Sequence, residues 1–452
     1  MDALIVIFIT GLISLFVGML KKPYLTLGII VSGLVISFCL QMNYGNYTSI
    51  FSKYDNLYFN ITQLYFSEMA IGFTLLLVLG GFQYFKQDIE HTSDYLSLLL
   101  FSLCGAICLI GFTDLFMFFL GLEILSIPIY VMVGIKKQDV LSAEASLKYF
   151  FTGSFATAIL LFGIALLYGA TASFNLATIQ EAIQSGSYSE PMLLIALLFI
   201  MAAFLFKVGA VPFHFWGPDV YQGAPDIVMA FMATVVKLAA VFAFLKLYAG
   251  TFQFLSEFWT GALNIAIVIS LFLGYLSALR QTSFKRMLAY SSISNTGFAL
   301  FALLTTSPSS AGSLWVFLIA YGCATIALVT ISMIIHNVDD KIAAFKGIGY
   351  KNPFIGFVMI MSLLSLSGIP PLSGFFGKFL LLSNAINDHL YLVILALVSS
   401  AIGAFLYLRM IVLSLAKETE NTVEKYPISI LQYIVLGVCT VGLLGGWLII
   451  IL

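Results

Sequence analysis

Charge is what this chain has least of. Of its 452 residues, 9% are Asp, Glu, Lys or Arg and 61% are hydrophobic, with a mean hydropathy of +1.06. A soluble domain cannot be built at that balance, because too few charged groups remain to face water. The formal net charge is −1, which offers no electrostatic footprint for nucleic acid, so no such partner is expected. Cysteine is scarce too: Cys39, Cys104, Cys108, Cys323 and Cys439 all fall inside apolar runs. None stands in a C-x-x-C pair, which argues against a disulfide framework, a zinc site or an iron–sulfur cluster. No metal is expected. No G-x-G-x-x-G turn follows a strand and there is no Walker-type loop, so no nucleotide is expected to bind. The opening MDALIVIFITGLISLFVGMLKK lacks the basic start of a secretory signal, its lysines coming after the apolar run. It reads as a retained first helix.

What the chain does have is apolar runs. About fourteen spans lie near 3–20, 24–41, 68–85, 94–112, 114–135, 143–170, 191–216, 226–249, 258–279, 284–305, 312–336, 353–386, 389–416 and 428–451. The expected fold class is therefore an all-α polytopic membrane protein of about fourteen transmembrane helices. The seventh and twelfth spans are too long and carry internal breaks, one at Pro212 and one at Gly368-Ile369-Pro370-Pro371, after which the helix resumes beyond Gly374. The breaks stand five helices apart. Helices 4–8 and 9–13 would each hold one, and because five is odd the second unit would be inverted in the membrane. This predicts helices 1–3 over 1–93, a first repeat over 94–250, a second over 251–417 and a last helix in 418–452.

Charge sets the expected orientation. Fourteen of the 20 Lys and Arg fall in loops after odd-numbered helices, among them Lys136, Lys148, Lys285, Arg286 and Lys341. Loops after even-numbered helices hold only Lys53 and Lys246. The cation-rich loops are expected inside and both termini outside. The outer segment 42–67 carries N-x-T sequons at Asn46 and Asn60, read as chance matches, and Lys417 to Lys425 reads as a charged inner linker.

Against this background five charges inside spans stand out: Glu123, Lys207, Lys237, Lys378 and Arg409. In FKVGAVPFHFWGPDVYQGAP (206–225) an ammonium group precedes a proline that frees the Val208 carbonyl. A central Lys costs about 3 kcal/mol in the membrane, and intramembrane charge reads by default as an ion or proton site. Snorkelling from a helix end is the alternative, and for Arg409 snorkelling or pairing is at least as good a reading. The expected partner of Glu123 is Lys207. Pairing and desolvation pull on such a lysine in opposite senses, so movement of Glu123 could make it load and release a proton. Lys237 could take the proton laterally, and Lys378 would be the terminal site near the outer exit. Lesser relay candidates are His214, Asn295 and Tyr149, with His336, Tyr221, Tyr290, Ser291 and Ser292 behind them. A hydrogen-bonded structural His is an equally good reading of His214.

The blocks GLEILSIPIYVMVG (121–134), EASLKYFFTGSFATAILLFGIALLYGATASF (144–174), FKVGAVPFHFWGPDVYQGAP (206–225), KRMLAYSSISNTGF (285–298) and LSLSGIPPLSGFFGKF (364–379) resemble the antiporter-like subunits of respiratory complex I, the proton-translocating NADH-quinone oxidoreductase. The resemblance covers helices 4 to 13 and is greatest to the subunit N group. It implies fourteen helices, two inverted five-helix repeats and broken helices 7 and 12. It implies that Glu123, Lys207, Lys237 and Lys378 stand at the positions of the helix 5 glutamate and the helix 7, 8 and 12 lysines. The function implied is that of a membrane-arm translocase subunit moving protons, driven by quinone reduction elsewhere. No redox centre would sit on this chain; FMN, iron–sulfur clusters and quinone would belong to other subunits. The implied partners are subunits K, J and M, the lateral helix of L, the bilayer and protons, in a bacterial inner membrane with both termini periplasmic. Subunit M commonly has Glu where Lys378 stands, and subunit L carries a lateral helix beyond a point where this chain stops. The antiporter-like D component of the multisubunit sodium/proton antiporters is the alternative. Two departures are notable: Asn295 where many relatives have His, and Val236 where Pro often precedes the helix 8 lysine.

Overall fold

The computed structural model describes residues 2–42, 56–87, 92–136, 138–305, 309–335, 340–416 and 427–448. Asn46, Lys53, His336 and the linker 417–425 lie outside them. Among the described residues the regular structure is helical, with three isolated β-bridges. Ten helices are long and apolar enough to cross a membrane: Pro23–Met42, Ile61–Gly80, Thr92–Gly111, Leu115–Val133, Val140–Thr171, Glu190–Val208, Asp226–Thr251, Gln253–Leu279, Ser310–Ile334 and Leu390–Ser414. Asp2–Gly18, Pro353–Ser367 and Ile430–Gly445 are shorter apolar helices. This is a multi-pass membrane protein, for in hydrocarbon the helix satisfies every backbone group within its own segment.

Short polar residues mark where the helices begin. The Asp114 carboxylate accepts from the Met117 amide at 2.8 Å and Ser283 Oγ accepts from the Arg286 amide at 3.1 Å. Each supplies an acceptor to amides that the first turn leaves open. Asn60 forms a reciprocal box with Gln63 at the start of Ile61–Gly80, each side chain accepting from the other's amide at 2.9 and 2.7 Å. That gives the second sequon a structural role.

Two compact units are built from these helices. The first comprises Met1–Val78, Phe82–Val208 and Gly223–Leu263. Its axis is Thr92–Gly111, buried along nearly its whole length and packed against Asp2–Gly18 and Leu115–Val133. Gly105 permits the second contact: a Cβ there would lie 2.2 Å from the Leu125 amide nitrogen. Asp226–Thr251 is buried on all sides. Val140–Thr171 bears Phe151, Phe155 and Phe162 exposed on its outer face. At 1.5 Å per residue its 32 residues reach roughly 48 Å, so it must tilt or project beyond a hydrocarbon core of about 30 Å.

The second unit comprises Leu79–Gly81, Gly209–Gln222 and Asn264–Leu452. Its axis is Ser310–Ile334, against which Pro353–Ser367, Ser373–Ala385 and Ile430–Gly445 pack. Both expected breaks are present. One helix ends at Val208 and the next begins at Trp216, and another ends at Ser367 and resumes at Ser373. Each break opens on a left-handed glycine, Gly209 (φ 70°) and Gly368 (φ 83°), a conformation other residues adopt only with strain.

Three features differ from the expectations. Leu176–Ser185 is an additional helix, outside the fourteen expected spans. Leu176, Ile179 and Ile183 bury one of its faces, and the Asn175 cap and left-handed Gly186 bound it. Lys148 lies inside Val140–Thr171 and Lys246 inside Asp226–Thr251, where loops were expected. Both lie within the expected runs 143–170 and 226–249 themselves, about a turn from one end, where a long side chain can reach past the apolar stretch while its backbone stays helical.

The close approach at Gly105 gives a direct test. Gly105→Ala should destabilise the chain by about 1–3 kcal/mol, since overpacking against backbone cannot relax. Gly28→Ala, with nothing within 4 Å of the added carbon, should be neutral. Thermal aggregation midpoints in detergent compare the two, and equal midpoints would contradict this packing.

Candidate functional site

Each unit gathers buried polar groups around one of the expected relay residues. In the first unit Glu123, Ser126 and Tyr130 stand at i, i+3 and i+7 on Leu115–Val133, and so share a face. Thr157 comes from Val140–Thr171 and Lys207 from the end of Glu190–Val208. Together they line a cavity of about 20 Å³, room for one water molecule. Gly153 keeps that wall open, since a Cβ there would meet Tyr130 Oη at 2.2 Å.

The chain thus brings Glu123 and Lys207 to one cavity, with hydroxyls as their direct partners. Glu123 Oε1 accepts from Thr157 Oγ1 at 2.7 Å. Lys207 Nζ donates to Ser126 Oγ, which passes a hydrogen bond to the Leu122 carbonyl. Tyr149 is buried beside this wall, edge-on to Tyr130 with ring centroids 4.8 Å apart. Lys237 belongs to the same unit, 6% exposed, but is not among the lining residues. The π-helical turn Met232–Val236 precedes it, an insertion that shifts helix register and recurs at functional positions.

In the second unit Lys378, also 6% exposed, donates to the Leu366 carbonyl at 2.7 Å and lies 4.6 Å from the centre of the Phe298 ring. Leu366 belongs to the last turn of Pro353–Ser367, so the ammonium sits on carbonyls that the break leaves without helical partners, at the negative end of that half-helix. Asn295 lies one turn before Phe298. Its Nδ2 donates to the Ser291 carbonyl at 2.9 Å and to Tyr407 Oη at 3.3 Å, and Ser291 Oγ lies 2.6 Å from Tyr407 Oη. Tyr321 Oη donates to Ser292 Oγ at 2.7 Å. Hydroxyls and an amide from Phe284–Leu300, Ser310–Ile334 and Leu390–Ser414 thus form one buried cluster. His214 is buried in the segment after Pro212, 4.3 Å from the Phe215 ring and apart from this cluster's hydrogen bonds.

Two other cations are fixed at helix ends. Arg409 donates to the Leu279 carbonyl at 3.0 Å, which agrees with the pairing reading. Arg286 holds Asp219 at 2.6 Å and Gln222 at 3.1 Å. Both partners of that ion pair are about a third exposed, so it is worth at most about 1 kcal/mol.

Sequence reasoning missed Thr157, Tyr321, Tyr407 and Lys246. The first three are single hydroxyl residues whose partners lie 34, 29 and 116 residues away in the chain, so no spacing signals them. Ser126 was missed as well, although its place at i+3 from Glu123 is a signal that could have found it.

Residues 113–403 match the family model described as NADH:quinone oxidoreductase/Mrp antiporter, TM. NADH-quinone oxidoreductase subunit N of Cytophaga hutchinsonii is 37% identical, over 93% of this chain and 92% of that one. Its counterpart in Flavobacterium psychrophilum is 36% identical over 95% and 94%. This chain belongs to the subunit N family. The structure agrees: a chain of respiratory complex I from Thermus thermophilus with bound aureothin superposes with a TM-score of 0.83 at 28% identity, over 98% of this chain and 96% of that one. A chain of the membrane-bound sulfane sulfur reductase, an archaeal respiratory membrane complex, gives 0.82 at 24% identity and shows that the fold is shared. The matched segment of this subunit N family member contains both polar clusters apart from Tyr407.

Ser126 can be tested apart from any activity. Ser126→Ala would leave the half-buried Lys207 ammonium without its hydroxyl acceptor, at a cost of about 1 kcal/mol. The thermal midpoint of the chain in detergent should fall, and Ser126→Thr should restore it. An unchanged midpoint in Ser126→Ala would remove this hydrogen bond from the account.

Proposed function

We propose that Glu123, Lys207, Lys237 and Lys378 are the proton relay of this chain. As a member of the subunit N family it is a proton-translocating subunit of NADH-quinone oxidoreductase, and it carries no redox centre. The observation that carries the relay reading is the shared cavity of Glu123 and Lys207, a carboxylate and an ammonium on different helices of a membrane protein, with room for one water. Two hydroxyls, Thr157 and Ser126, stand on the same wall. A hydroxyl both donates and accepts, so either can hand a proton between the water and a charged group.

The energetics are adequate. At an effective dielectric constant near 20, moving a carboxylate to about 6 Å from an ammonium changes the ammonium's energy by about 3 kcal/mol. Carrying one charge across 100 mV needs about 2.3 kcal/mol. A shift of Glu123 towards or away from Lys207 is therefore enough to load or discharge the lysine. In the proposed order a proton loads Lys207, passes by Lys237 and leaves from near Lys378. Asn295 has no titratable proton, so its part is to hold Tyr407 and Ser291, and His214 and Tyr149 are accessory members. The broken helix serves Lys378 directly, because its freed carbonyls accept the ammonium protons.

The wider reading has fourteen spans with inverted repeats over 94–250 and 251–417, flanked by helices 1–3 and a last helix. The opening of both breaks on a left-handed glycine supports this. Both termini would be periplasmic in a bacterial inner membrane. The neighbours would be subunits K, J and M and the lateral helix of L. FMN, iron–sulfur clusters and quinone would do their chemistry in other subunits.

The test is proton pumping in inside-out vesicles, measured beside electron transfer to quinone. Lys207→Ala, Lys378→Ala and Glu123→Gln should each lower both by about tenfold, equivalent to 1.4 kcal/mol of barrier, while the complex still assembles. Native rates in all three would make these charges structural.

A further inference from the structure

On one side of the Glu123–Lys207 cavity the first unit is filled with rings. Phe118 and Phe204 line the cavity and stack with centroids 5.2 Å apart. Phe118 also meets Phe112 at 5.2 Å, Phe204 lies 4.6 Å from Phe244 with the planes 4° apart, and Tyr248 stands edge-on to Phe244 at 4.7 Å. All five are buried. The only hydroxyl among them is turned into backbone, Tyr248 Oη donating to the Leu197 carbonyl at 2.6 Å.

Chain direction places these rings on one side of the charged site. Phe118 precedes Glu123 on Leu115–Val133, towards the Phe112 end. Phe204 precedes Lys207 by a turn. Phe244 follows Lys237 by two turns. That side is opposite the end of Leu115–Val133 that leads to Lys136, and loop charge assigns it to the outside. Beyond the rings stands Lys246, half-buried, its Nζ 4.5 Å from the centre of the Phe112 ring and donating to the Phe112 carbonyl. Among the described residues the groups that hold it are neutral, an oxygen dipole and a ring face, so its positive charge is not cancelled. The relay proposed above makes no use of it.

We propose that Lys246 and the ring stack beneath it form a proton barrier that seals the first unit on the side away from Lys136. The inference rests on the proton-relay reading, because a seal matters only where protons are loaded. A hydronium ion coming from that side first meets a positive charge held by neutral groups, then an apolar stack whose one hydroxyl is committed to the Leu197 carbonyl. Charge repulsion and dewetted constrictions are the two means by which pores exclude ions. A lysine that merely capped the end of Thr92–Gly111 would need its hydrogen-bond donor but not its charge, and that difference separates the two roles.

The experiment uses the assembled complex in proteoliposomes. A potassium diffusion potential is imposed without electron donor or quinone, and proton entry is followed with a trapped pH dye. The ratio of protons pumped to electrons transferred is then measured at turnover. Lys246→Gln keeps a donor and loses the charge, Lys246→Leu loses both, and Lys246→Arg keeps both. Gln and Leu should raise resting proton flux at least about tenfold and lower the pumping ratio, with electron transfer unchanged, while Arg stays tight. Native tightness in Gln and Leu overturns the barrier, as does tightness in Gln with leakage in Leu, the pattern of a simple cap. If the lysine variants fail to assemble, Phe244→Ala opens the stack with Lys246 in place: leakage supports the seal and tightness overturns it. Failure of the relay reading would show elsewhere, as native pumping in Lys207→Ala at turnover, which the resting flux does not depend on.

Discussion

A charge placed in hydrocarbon has to be met by groups of the protein itself, and for three cations among the described residues those groups are carbonyl oxygens at helix ends. Lys378 sits on the Leu366 carbonyl, Arg409 on the Leu279 carbonyl and Lys246 on the Phe112 carbonyl. The last turn of a helix has carbonyls without amide partners, so each helix end is a ready acceptor for a cation and carries the negative end of the dipole as well. A helix that ran unbroken through the bilayer would offer such acceptors only at the membrane surface. Breaking it brings them to the depth where an ammonium group has to be held. The breaks at Gly209 and Gly368 are best understood in that light: the second supplies the ligands for Lys378, and the first closes the helix two residues after Lys207.

Lys207 is held differently. Its acceptor is a hydroxyl that itself bonds onward to a carbonyl, and a carboxylate lines the same cavity. A carbonyl can only accept. A hydroxyl can rotate and donate, so a cation held by one stands at the start of an exchangeable chain. The contrast between Lys207 on Ser126 and Lys246 on a backbone oxygen is therefore one of chemistry as well as position.

The extent to which the sequence disclosed this follows from which interactions are local. Apolar runs disclosed the helices, since hydrocarbon forces backbone satisfaction within each segment. Pro212, and Gly368 with Pro370, disclosed the breaks, since proline and glycine act on neighbouring residues. Glu123 and Lys207 were legible because charge in an apolar run is expensive wherever it stands. Lys246 was not, because it lies near Gly250, where the hydrophobic run was thinning, and its partner is a backbone atom 134 residues away. Thr157 and Tyr407 were hidden for the same reason. Leu176–Ser185 was passed over because a short amphipathic helix between spans has too few apolar residues to register as a run.

Aromatic residues complete the division of the first unit. On the side of the cavity towards Phe112 they replace hydroxyls almost entirely, and the one tyrosine in the stack directs its proton into backbone. On the other side of Glu123, Ser126 and Tyr130 continue along the same helix face. Groups able to exchange a proton therefore stand on one side of this site and rings on the other. The asymmetry comes from side chains on a single pair of helices: Phe118 precedes Glu123 and Ser126 follows it, while Phe204 precedes Lys207. The order of residues along each helix therefore fixes on which side of the charged pair the hydroxyls stand and on which side the rings stand.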